Sequence, residues 1–171
     1  MSKFKYFPSF SVAGFGQALR KNLVLRNGLT SRFYSKDFPE KYRHTEFLIS
    51  AGHFLKHADL YGEHGFTSDN LIMGDSGGFQ IASGALKWDK SLLEKVFVWL
   101  ENNSDIAMNL DIPPKMTYEG MYEECLRISK DNFKYFADKQ TGNTDFLNVV
   151  QGTNEIEYMN WYDQIKEFPF I

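Results

Sequence analysis

With 171 residues, 43% hydrophobic, 24% charged and 16% aromatic, and a formal net charge of −3, the chain falls in the ordinary globular range and outside the disordered and fibrous ones. Its longest apolar runs, such as 96–100, are five residues. That is far short of the roughly 20 that cross a bilayer, and the start lacks the apolar core of a signal peptide, which predicts a cytoplasmic protein without membrane contact. A single cysteine, Cys125, excludes an intramolecular disulfide and a multi-cysteine zinc site.

No repeat or Pro/Gly/Ser linker divides the sequence, so residues 1–171 are read as one unit. Residues 1–45 form an irregular amino-terminal region. Within it the stretch 20–43 carries seven Lys/Arg against two acids, spread out in the manner of a solvated face. It is also a stretch with the charge to touch phosphate. From residue 46 onward short apolar runs alternate with longer segments of helical period. The runs 47–51, 71–74, 105–110 and 146–150 are predicted strands. Ser91, with Glu94 three residues later, is a capping arrangement that opens a helix whose inward face is Leu92, Val96, Trp99 and Leu100. Thr117 is the expected cap of a second helix, with Tyr118, Met121, Tyr122, Cys125, Ser129 and Phe136 on one side. A third, over 154–167, turns Ile156, Met159, Tyr162 and Ile165 inward.

Strand–helix alternation implies a parallel sheet, because a helical crossover returns the chain to the same end of the sheet. Ligand groups then gather at the carboxyl ends of strands. Asp75, Asp111 and Gln151 occupy three such ends, one βα unit apart, and are expected to converge on one mouth. Each also has a plainer reading as a turn or cap residue.

The segment Gly74-Asp75-Ser76-Gly77-Gly78-Phe79-Gln80 admits three chemistries. Gly-Asp-Ser-Gly-Gly surrounds the serine of chymotrypsin-like proteases, but His53 lies too close in sequence to Ser76 to leave room for the intervening β-barrel. The string also fits a nucleophile elbow, but that needs a histidine after the serine, and His44, His53, His57 and His64 all precede it. In the third reading Asp75 is the working group, and Gly77 and Gly78 let the backbone approach a flat ligand. Phe79 is either a core residue or a stacking platform, with the core reading preferred. His53 and His57 are spaced to share a helix face, but without a third ligand they do not make a metal site. Cys125 falls on an apolar helix face and reads as core.

Asp75-Ser76-Gly77-Gly78-Phe79-Gln80 at a strand end resembles the signature of the tRNA-guanine transglycosylase superfamily, which exchanges guanine in a nucleic acid for a 7-deazaguanine base. Ile106-Ala107-Met108-Asn109-Leu110-Asp111, followed by Pro113 and Pro114, resembles the family's base-recognising strand, and Val149-Val150-Gln151-Gly152 its Gln-Gly strand end. Ser50-Ala51-Gly52-His53 is a looser match to the turn preceding the signature. The resemblance spans about residues 46–167. It implies a (β/α)8 TIM barrel, of which about four βα units, the first half, are present. It also implies Asp75 as the catalytic carboxylate against the reacting nucleoside. Ser76, Gly77, Gly78, Phe79, Asp111, Gln151 and Gly152 would line the base. The family's nucleophilic aspartate and its zinc site of three cysteines and one histidine belong to segments beyond Ile171, so no cofactor is expected here. The implied partners are guanine or a 7-deazaguanine and tRNA, with DNA as the alternative of a branch associated with phages. A second copy or a partner chain would supply the rest of the barrel. From a different class, the alternative is a non-catalytic base- or nucleic-acid-binding subunit or an inactive fragment.

Overall fold

The computed structural model describes residues 7, 9–10, 23–24, 30–32, 34–57, 59–114 and 121–168. Five strands form one parallel sheet in the order β1 (Ser9–Phe10), β4 (Glu46–Ser50), β5 (Leu71–Asp75), β6 (Ile106–Met108) and β7 (Asp145–Leu147). A separate antiparallel pair joins β2 (Leu23–Val24) to β3 (Thr30–Ser31). From β4 to β7 each new strand is added at the same edge. Right-handed crossovers that always move in one direction put their helices on one face of the sheet.

The burial pattern agrees with that placement. Phe47, Ile49, Ile72, Ala107 and Phe146 share one cluster with Val96, Phe97 and Leu100 of α4 (Lys90–Asn103) and Phe136 of α5 (Tyr122–Lys139). The alternate positions Leu48, Met73, Met108 and Leu147 are only half-buried. Between β4 and β5 lie two short helices, α1 (Ala51–Phe54) and α2 (Leu60–His64), and α3 (Gly78–Ala82) follows β5 directly. Inside the helical layer Phe97, Phe136 and Phe146 meet at ring separations of 5.0–6.0 Å, so aromatic packing joins both long helices to β7. No helix among the described residues is long and apolar enough to cross a membrane.

Two local expectations are corrected. Helix α4 is capped by Asp89, whose side chain accepts from the Leu92 amide at 2.7 Å, so the start lies ahead of Ser91 and the Ser91–Glu94 box does not form. Its predicted inward residues Leu92, Val96, Trp99 and Leu100 are all buried. Thr117 and Tyr118 lie outside the described residues. On α6 (Glu155–Ile165), capped by Asn154, the inward face is Trp161 and Ile165. Ile156, Met159 and Tyr162 are 83%, 57% and 50% exposed, on the opposite side from the expected one. The fully buried Trp161 removes more apolar area than any of the three and places its indole N–H on the Val149 carbonyl at 3.0 Å, which decides the rotation of the helix.

Gly74 marks the closest approach of β5 to α4. A Cβ there would fall 2.5 Å from Leu100 Cδ2 and against the Ser104 hydroxyl. Gly74→Ala is therefore expected to cost about 1–3 kcal/mol in urea unfolding through overpacking. A cost under about 0.5 kcal/mol would mean that the helix has room to retreat.

Candidate functional site

Asp75 is the last residue of β5 and pairs in register with Ser50, the last of β4. Directly after it the chain must turn sharply into α3, and Gly77 does this at φ +92°, a conformation that side-chain-bearing residues rarely adopt. The Asp75 carboxylate accepts from the Gly77 amide at 3.4 Å. Ser76 is buried, and its hydroxyl donates to the Asn109 carbonyl at 3.2 Å, which ties the exit of β5 to the exit of β6. It faces a backbone carbonyl and not a histidine, in keeping with the exclusion of a serine nucleophile.

Asp111 follows β6 and is 6% exposed. A Cβ on Gly78 would lie 2.5 Å from its carbonyl oxygen and 3.0 Å from Oδ1, so only glycine lets α3 sit this close. Its Oδ2 accepts from the Gln151 side-chain amide at 2.7 Å. Among the described residues it makes no ion pair. Burial, reinforced by the Asp75 charge and opposed by the Gln151 hydrogen bond, raises its pKa to about 6. The three strand-end groups singled out from the sequence thus come together: Gln151 touches Asp111, and Asp75 is near enough for its charge to be felt there. Gly152 brings the same loop against α6, since a Cβ would lie 2.8 Å from the Tyr158 amide.

Phe79 corrects the preferred expectation. It is 75% exposed, not part of the core, and stands on α3 one residue beyond Gly78. His53 and His57 do not share a helix face, because α1 ends at Phe54; His53 instead hydrogen-bonds Gln80 at 3.0 Å. Cys125 is buried among Leu126, Phe133 and Trp161, and burial pushes its thiol pKa up, which suits a core residue. In the basic stretch, Arg20, Lys21 and Arg26 lie outside the described residues, while Lys36 forms an exposed ion pair with Asp69 at 3.2 Å.

Several polar groups at the same strand ends went unassigned in the sequence. Ser50 Oγ is buried without a hydrogen bond among the described residues, and Asn109 donates to Asn148 Oδ1 at 3.1 Å. Their one legible signal was position, each lying at or just past a predicted strand end. The zinc set of the resembled family does not fit these residues. The one cysteine is packed in the core, and among the described residues no three His, Cys, Asp or Glu side chains group as a metal site. Among the described residues the strand ends carry carboxylates, amides and hydroxyls.

The Asp111 pKa has a consequence for stability. In the native state the group keeps its proton to about pH 6, whereas unfolded it releases it near 3.8. The folded form therefore binds more protons between those values, and stability falls as pH rises through them, leaving a cost on the order of 3 kcal/mol at neutral pH. Asp111→Asn is expected to raise unfolding stability by about 1–3 kcal/mol at about pH 7.5 and by little at about pH 4. Urea melts at the two pH values check this, and an equal effect at both would show that Asp111 titrates as in water. Compared with protein-family models and with curated proteins, the chain matches none.

Proposed function

We propose that this chain is the base-recognition part of a nucleic-acid guanine transglycosylase, binding guanine or a 7-deazaguanine between Asp75, Asp111 and Gln151 for exchange into tRNA. The observation that carries this reading is Asp111, a buried carboxylate with an amide partner and no cation among the described residues. Structural carboxylates in such positions are ordinarily paired, because burying an unpaired charge costs several kcal/mol. A ligand that offers two N–H groups repays that cost. Guanine presents N1–H and an exocyclic N–H side by side, matching the two oxygens of a carboxylate. Gln151 uses one amide N–H on Asp111 and keeps the other for the purine O6. Adenine presents a ring acceptor where guanine presents N1–H, so it would leave the carboxylate facing a lone pair. The exposed ring of Phe79 offers a face for stacking.

The sheet supports the same reading. Strands added in one direction with helices on one face are what the first half of a (β/α)8 barrel requires, and a doubly wound sheet would reverse its order. In base exchange a carboxylate displaces guanine from the ribose C1′, and the incoming base displaces that carboxylate, so configuration is retained. The departing base gains a proton and the incoming one loses a proton. Asp75, half-buried at the strand end beside Asp111, is the carboxylate proposed to carry it.

Titration calorimetry tests the reading. Guanine and 7-deazaguanine are expected to bind and adenine not to, and Asp111→Asn to weaken binding by about 1–3 kcal/mol. Because only the ionised carboxylate accepts two N–H groups, affinity should rise with pH up to about 6 and level off above it. Equal binding of adenine and guanine, or no binding at all, would remove the nucleobase from this site.

A further inference from the structure

Helix α5 carries two polar residues, Ser129 and Asn132, on its inward face, and both are wholly buried. Three positions apart, they share one side of the helix and point at the same stretch of chain. That stretch surrounds Asp111. The Asn132 amide donates to the Leu110 carbonyl at 3.0 Å, and the Ile112 amide donates to the Ser129 hydroxyl at 2.8 Å. The Leu110 carbonyl belongs to the peptide group before the Asp111 Cα, and the Ile112 amide to the one after it. Two flanking peptide planes define φ and ψ of the residue between them, and therefore the direction of its Cα–Cβ bond. Ile112 is restrained further by Pro113, which confines it to extended conformations.

A helix face packed against a strand exit gains most from apolar side chains, so a serine and an asparagine there need a reason. Satisfying the Leu110 carbonyl and the Ile112 amide is one, but it leaves Asn132 Oδ1 buried without a hydrogen-bond partner among the described residues, a cost that stability alone does not call for. The carboxylate they surround is itself buried at a cost, beside Gln151 on one side and Gly78 on the other. We propose that Ser129 and Asn132 are positioning residues: by holding the peptide groups on both sides of Asp111 they aim its carboxylate at the base-binding mouth. This rests on the reading of Asp111 as the acceptor of a guanine-type base.

Ser129→Ala and Asn132→Ala in the full chain test the proposal through three measurements: thermal unfolding, the ionisation midpoint of the Asp111 carboxyl by carbon-detected NMR, and calorimetric binding of guanine. Cooperative unfolding is expected to persist. The Asp111 midpoint should drop from near 6 toward the ordinary carboxyl range as the side chain swings to water. Affinity for guanine should fall about tenfold or more. Ser129→Thr, which keeps the hydroxyl, should restore both. Folded alanine variants with the wild-type midpoint and affinity would overturn the proposal. If the wild-type chain takes up no guanine, the functional reading fails, but the midpoint still decides whether the helix positions Asp111. Should an alanine variant not fold, Ser129→Cys, similar in size and a weak acceptor, decides by the same midpoint: a drop supports the proposal and an unchanged value overturns it.

Discussion

A negative charge kept out of water with a neutral amide for its partner is the most demanding feature of this molecule, and much of the site is arranged around it. Asp111 is nearly inaccessible, accepts from Gln151 at 2.7 Å and has Asp75 near enough to repel it. Left to itself such a side chain would turn to solvent or take up a proton. It does the second, holding its proton to about pH 6, but not the first, because its backbone is closed in by Gly78 of α3 on one side and by Ser129 and Asn132 of α5 on another. The close approach at Gly78 and the buried polar pair on α5 are both explained by the same requirement, a carboxylate with a fixed direction.

That requirement is met by elements far apart in the chain. Asp75 ends β5, whereas Asp111 and Gln151 lie in the segments that follow β6 and β7, and they meet only because these strands are consecutive neighbours in a parallel sheet. Parallel pairing brings like ends together, so the carboxyl end of each strand and the segment just beyond it reach the same edge. The helices supply the rest by packing on one face, where Phe97, Phe136 and Phe146 fill the layer between α4, α5 and β7. The strand-end edge is then left to polar side chains and the short turn through Gly77.

The expectations that failed did so for different physical reasons. Ile156, Met159 and Tyr162 recur at helical spacing as well as Trp161 and Ile165 do, and periodicity cannot say which stripe meets the sheet. The larger burial and the indole hydrogen bond decided it. Phe79 is of a type that usually enters the core, but a short helix that begins at a left-handed glycine carries it outward. Asp89 prevailed over Ser91 as a cap because its side chain reaches the Leu92 amide from outside the helix.

The alternation of short apolar runs with helical segments, and the polar residue that ends each run, are local properties, and they were legible in the amino-acid order. They determined a parallel α/β arrangement and put Asp75, Asp111 and Gln151 at neighbouring strand ends, because the period of a strand or helix is set by bonded geometry over a few residues. What only the tertiary structure decided was the environment of those groups: the loss of water around Asp111, its Gln151 partner, its raised pKa, and the contact of Ser129 and Asn132 with the chain on either side of it. Solvent exclusion and charge interactions depend on atoms brought together from distant parts of the chain, so no stretch of sequence around Asp111 contains them.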